Sequence, residues 1–230
     1  MFESTEFIAL WLSFRVAFLA TVLGLPLAVF LAHVLARHTF RGKTALDLII
    51  HAPLVLPPVV IGYFLLITFA PNGAVGGFLE NTLGLKIAFT WQGAALASLI
   101  MALPLMVRAI RLSFEAENPK LALAARTLGA SPFRTFFAIT LPLAAPGLIT
   151  GGLLGFARAL GEFGATITFV SNIPGITQTL PLALYSAIQQ PGGEAAALRL
   201  MVFSLILAFA ALGLSEYLAR RLKKRIGGLP

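Results

Sequence analysis

The sequence predicts an all-α, polytopic membrane bundle, and three observations carry that reading. Of 230 residues, 58% are hydrophobic and only 11% are charged. The mean hydropathy is +0.91. The apolar runs are also too long for core helices of a water-soluble domain. In lipid only helices and closed barrels satisfy their own backbone, and no alternating barrel strands occur.

Crossing a hydrocarbon core of about 30 Å takes roughly 20 helical residues. Four or five segments qualify, approximately Phe7 to Ala36, Leu46 to Ala70, Trp91 to Ile110, Leu141 to Leu160 and Ala195 to Leu218. No short apolar stretch with a basic start and a small-residue cleavage site precedes the first, so it is expected to be a retained helix. The chain reads as one permease-sized domain, 1–230, with a charged internal loop at about 117–138 and a basic tail at about 219–230.

The second segment contains His51-Ala52-Pro53 and Pro57-Pro58. Three missing backbone donors force a kink or an unwound stretch. Such breaks are either structural kinks buried in protein or places where backbone lines a cavity, which makes Pro57 and Pro58 candidates for a pathway or gate. In the fourth segment Gly147, Gly151 and Gly155 recur at every fourth position and lie on one helix face. That face can pack backbone to backbone inside the bundle or against a two-fold partner. Arg158 and Glu162 follow at i, i+4 spacing and can pair. They are either a neutralised structural pair at the outer end of the span or a gate, because ionisable groups at membrane depth are functional candidates.

Most of the 17 Lys and Arg residues fall on one side of this topology. They occupy the loop with Arg37, Arg41 and Lys43, the loop from Arg108 to Arg134, and the tail from Arg220 to Arg225. By the positive-inside tendency those segments are cytoplasmic, the N-terminus is outside and the number of spans is odd. The net charge of +8 then reflects topology and anionic lipid, and no nucleic-acid partner is expected. Zero Cys and three scattered His give no metal-ligand set, so no metal is assigned. Arg41-Gly42-Lys43-Thr44 lacks the upstream Gly of a phosphate loop, whose position is Arg37, so this chain is not expected to bind nucleotide or act as an enzyme.

The loop between the third and fourth spans is built as a compact knob. Asn118-Pro119 can start a helix through Leu128, Gly129 can end it, and Ser131-Pro132 can start a second helix through Phe137. Small Ala124, Ala125 and Gly129 beside Phe133, Phe136 and Phe137 fit a docking surface better than a generic basic loop.

The spacing of Ala124-Ala125, Gly129, Ile139 and Leu141-Pro142 resembles the "EAA" signature of permease subunits of bacterial ABC importers. The Glu of that signature falls at Leu123, a departure. Further runs resemble the permeases of molybdate ABC importers: Pro53 to Tyr63, Pro104 to Arg111, Ala125 to Ala130, Ala157 to Thr166 and Ser171 to Gly175. The likeness extends from about the first helix to Arg221; tungstate and sulfate/thiosulfate permeases share the core. It implies a type I importer permease in the bacterial inner membrane. Its partners would be a second copy of itself, two cytoplasmic ATPases that hold ATP and Mg²⁺, and a periplasmic molybdate-binding protein. It further implies coupling through Leu123, Ala124, Ala125, Gly129, Ala130, Ser131, Pro132, Leu141 and Pro142, and alternating access at the homodimer interface.

The segment Ser171 to Gln190 is uncharged and rich in Asn, Thr, Gln and Ser. It is expected to be an outer loop, an ordinary one or a face for a binding protein, with neutral donors that could also pass an oxyanion. A membrane-embedded enzyme would need convergent acids and bases, and here the acids are dispersed. An ion-coupled carrier would show paired broken helices, and only one Pro-broken segment is evident.

Overall fold

The computed structural model describes residues 4–226. Among them there is no strand. The helices are α1 (Ser4–Arg37), α2 (Lys43–Val55), α3 (Pro58–Phe69), α4 (Ala74–Leu83), α5 (Trp91–Ala116), α6 (Pro119–Thr127) and α7 (Pro132–Thr135). A π-helical turn, Phe136–Thr140, leads into α8 (Leu141–Leu143). Then come α9 (Ala145–Leu160), α10 (Gly164–Val170), α11 (Leu180–Gln189) and α12 (Glu194–Ile226).

Three of the five expected spans are single helices long and apolar enough to cross a membrane: α1, α5 and the Glu194–Ala211 part of α12. The other two are bent pairs. The stretch expected to span from Leu46 to Ala70 turns by 112° between α2 and α3, and Pro132–Leu143 meets Ala145–Leu160 at 69°. The first break is at Leu56-Pro57, both in extended conformation, where Pro57 and Pro58 lack the N–H groups needed to continue the α2 ladder. Helix α4 lies within 71–90, and α11 forms within 171–190, the segment expected to be an outer loop. Pro181 in the first turn of α11 sets a helical φ there, which outweighs the polar composition around it.

Small residues set how the long helices pack. On α1, Ala17, Ala20, Ala28 and Ala32 are buried, and a Cβ at Gly24 would sit 3.3 Å from the Met106 sulfur of α5. From α9, Cβ atoms at Gly151 and Gly155 would approach Ile110 and the same Met106, and one at Gly147 would collide with Ser113. The Gly147, Gly151, Gly155 face therefore packs inside the bundle against α5.

These contacts also give helix directions. Arg15 of α1 lies 3.7 Å over the Trp91 ring at the start of α5, Gly24 meets Met106, and Arg37 reaches Glu117 just past the end of α5. So α1 and α5 run parallel, and the bent pair α2–α3 carries the chain back between them. Gly147 beside Ser113 and Gly155 beside Met106 make α9 antiparallel to α5. Glu6 of α1 binds Arg199 near the start of α12, and the Leu180 N–H donates to the Ser13 hydroxyl at 2.6 Å. The first turns of α1, α11 and α12 are thus gathered at the end opposite Arg37. The backbone of the basic tail is helical to Ile226, and the side chains of Arg220, Arg221, Lys223, Lys224 and Arg225 lie outside the described residues.

Candidate functional site: the knob and the broken helix

The knob forms from local capping. The Asn118 side chain accepts the Lys120 N–H at 3.0 Å, and Pro119 occupies the first turn of α6. Gly129 has φ +88°, the left-handed conformation that turns the chain out of a helix, and the Ala130 N–H closes back on the Ala125 carbonyl at 3.0 Å. Ser131 then accepts the Arg134 N–H at 3.2 Å and starts α7. No residue of α6 is buried. Leu123, Ala124, Gly129, Ser131 and Pro132 are exposed, Ala125 and Ala130 half-buried, and Leu128 stands 89% exposed at the elbow.

Two joints fasten this exposed unit to the bundle. At its entrance the Arg37 Nη2 lies 2.6 Å from the Glu117 carboxylate, whose side chain is 3% exposed. At its exit Phe136 stacks edge-on against His33 at 4.9 Å, and His33 against Phe114 at 5.3 Å. Phe136 is therefore turned inward rather than presented to a partner, while Phe133 remains 74% exposed. Leu141 faces α1 beside Phe133 and Phe137 in a shared cavity, and Pro142 is exposed. The Arg37–Glu117 joint was beyond sequence reasoning because its partners are 80 residues apart. The available signal was an acid, Glu117, directly before the Asn118-Pro119 helix start.

The second locus joins the Pro57-Pro58 break to the end of α9. Arg158 Nη1 lies 2.6 Å from Glu162 Oε2, and Glu162 Oε1 accepts the Ala165 N–H at 2.8 Å, so the carboxylate both pairs and caps the turn into α10. Its side chain is 1% exposed against 27% for Arg158. Gly155 lies level with Met106 and Val170 beside Gly93, so Glu162 falls between those two levels of α5. A Cβ on Gly164 would lie 2.7 Å from Pro58, and one on Gly62 would meet the Ala165 carbonyl at 2.5 Å. Pro58 thus packs on Gly164, two residues beyond Glu162, in a tight α3–α10 contact, and Pro57 beside it is exposed.

The neutral segment 171–190 makes several hydrogen bonds within itself. Asn172 Nδ2 donates to the Ser186 hydroxyl at 2.7 Å, and the Ile173 N–H to Thr177 Oγ1 at 3.0 Å. Gly42, φ +93°, simply turns the chain into α2, with Lys43 as its first residue. Among the described residues no three metal-binding side chains cluster.

A family model described as "Binding-protein-dependent transport system inner membrane component" matches residues 24–224. The chain belongs to this family. It is therefore a multi-pass inner-membrane component of a transport system. Relatives of this component include the molybdenum transport system permease protein ModB of Haemophilus influenzae, 55% identical over 96% of this chain and 97% of that one. The ModB protein of Escherichia coli K12 is 54% identical over the same shares. The sulfate transport system permease protein CysT of Salmonella typhimurium is 35% identical over 89% of this chain and 75% of that one. Among solved structures, a bacterial ABC transporter that imports the polysaccharide alginate superposes with TM-score 0.76 at 16% identity, covering 96% of this chain and 80% of that one. The MetNI methionine ABC transporter gives 0.66 at 18%, covering 94% and 93%. At such identities the likeness is one of fold, that of type I importer permeases.

Proposed function

We propose that this chain is the transmembrane subunit of an ATP-driven importer of molybdate. The observation that carries the reading is identity above 50% with molybdenum permeases along nearly the whole chain. In this reading two copies form one translocation path at their interface, with the N-terminus periplasmic and the tail cytoplasmic. A periplasmic molybdate-binding protein delivers the anion. Two ATPase subunits, which hold ATP and Mg²⁺, take up the knob through Leu123 to Pro132, with Leu141 and Pro142 at its root.

The exposed, capped and glycine-elbowed knob supports that docking role. The Arg37–Glu117 and Phe136–His33 joints support transmission, since a knob fastened at both ends moves with α1 and α5 as a body. Alternating access then needs the bundle to have two arrangements, one of them favoured by the ATPase contact. Glu162, bound on both oxygens and a carboxylate, acts here on helix orientation and gating; it would repel an anion rather than bind it.

The test is uptake of labelled molybdate in cells lacking the chain and in cells with it restored, with and without excess sulfate. Uptake lost on deletion, regained on restoration and indifferent to sulfate supports the proposal. Impaired sulfate uptake with normal molybdate uptake selects a sulfate/thiosulfate permease. Unchanged uptake of both overturns the transport reading.

A further inference from the structure

Between the last turns of α1 and the root of the knob lie two adjoining cavities of opposite character. One, about 550 Å³, is walled by Leu25, Val29 and Phe30 of α1 and by Phe133, Phe137 and Leu148 across from them. The other, about 360 Å³, is lined by Arg37, His38 and Arg126 with no carboxylate in its wall. His33 and Phe136 line both, so the two share a boundary. Arg37 spends one face on Glu117, whereas Arg126 is exposed and has no ion pair among the described residues.

We propose that this pair of cavities is a binding site for one phospholipid with an anionic headgroup. The apolar chamber runs along the membrane-spanning part of α1, and the cationic chamber sits at its end, where Arg37 closes the helix. That order, apolar toward the middle of the bilayer and positive at its surface, is the order of a lipid molecule. Basic pockets between helices on the cytoplasmic side favour phosphate headgroups. A free oxyanion would leave the larger chamber unfilled, and a zwitterionic lipid would leave Arg126 without net negative charge to meet. A lipid seated there lies beneath Phe133 and Phe137 and thereby props the knob. The inference rests on the membrane placement of α1 and is independent of which anion is transported.

The full chain, purified from membranes and stripped of lipid, is titrated in native mass spectrometry with phosphatidylglycerol or phosphatidylcholine of identical acyl chains. One phosphatidylglycerol is expected to stay bound under activation that removes every phosphatidylcholine. Arg126→Gln, at an exposed position, should weaken it about fivefold, and Val29→Trp, which fills the apolar chamber, should abolish it. Excess inorganic phosphate should leave the lipid in place. Equal retention of the two lipids, displacement by inorganic phosphate, or an unchanged preference in the Arg126→Gln/His38→Gln variant would each overturn the proposal.

Discussion

The joint between Arg37 and Glu117 should respond unequally to loss of its two members. The Glu117 side chain is 3% exposed, and its Oε1 has no hydrogen-bond partner among the described residues, while Oε2 takes the Arg37 contact at 2.6 Å. Arg37→Ala therefore strands a buried carboxylate with neither oxygen matched, which costs about 3 kcal/mol, at the low end for a broken buried pair. Arg37 itself is 22% exposed and can turn to water, so Glu117→Ala loses only one charge-assisted bond, about 1 kcal/mol after screening. For a chain of this size each kcal/mol moves the unfolding midpoint by roughly 2–4 °C, so the two variants should differ by about 4–8 °C. Thermal unfolding of the purified chain in nanodiscs, followed by tryptophan fluorescence, reads this directly. Equal shifts, or a larger one for Glu117→Ala, would refute the argument that burial of the carboxylate controls the joint.

Three further outcomes follow from the geometry. Gly62→Ala should destabilise the bundle by about 2 kcal/mol, because the new methyl meets the Ala165 backbone, and Gly155→Ala should cost less, because the atoms it meets belong to the Met106 side chain and not to backbone; denaturation in mixed micelles ranks them. Gly129→Arg adds a side chain into open space at φ +88°, so the fold should survive a local cost of about 1 kcal/mol while co-purification of the ATPase subunit is lost. Capture of the ATPase by that variant would count against the docking role. Glu162→Gln keeps an acceptor for the Ala165 N–H but loses the charge facing Arg158, so the rate of molybdate uptake should change with the molybdate-to-sulfate preference intact. A changed preference at normal rate would contradict a gating role.

Features that depend on neighbours in the chain were legible from the sequence. The Asn118 and Ser131 caps, the Gly129 elbow and the Arg158–Glu162 pair are all set within four residues, and each is found at its expected place. Long helices were legible through length and hydropathy. What sequence could not supply was how far a break bends. Pro57-Pro58 announced an interruption, but the 112° turn is fixed by α3 seating on Ala165 and Thr168 of α10 through Gly62. The partner of the Gly147, Gly151, Gly155 face was equally open until Met106, Ile110 and Ser113 were seen against it. Helix α11 was missed because its polar surroundings read as loop, and its burial on α1 through Leu180 and Leu182 is a tertiary fact.

The clasp between Glu6 and Arg199 bears on how the bundle is completed during synthesis. Glu6 is 5% exposed and takes three hydrogen bonds of 2.7, 2.9 and 3.3 Å from the guanidinium, whose residue is translated 193 positions later. Until the last helix leaves the ribosome, that acid lacks the guanidinium it meets in the finished bundle. Arrival of α12 closes the first helix against the last, so a copy truncated before Arg199 would carry an unneutralised carboxylate at the membrane surface. Such a charge would distinguish unfinished chains from finished ones for the proteases that survey the bilayer.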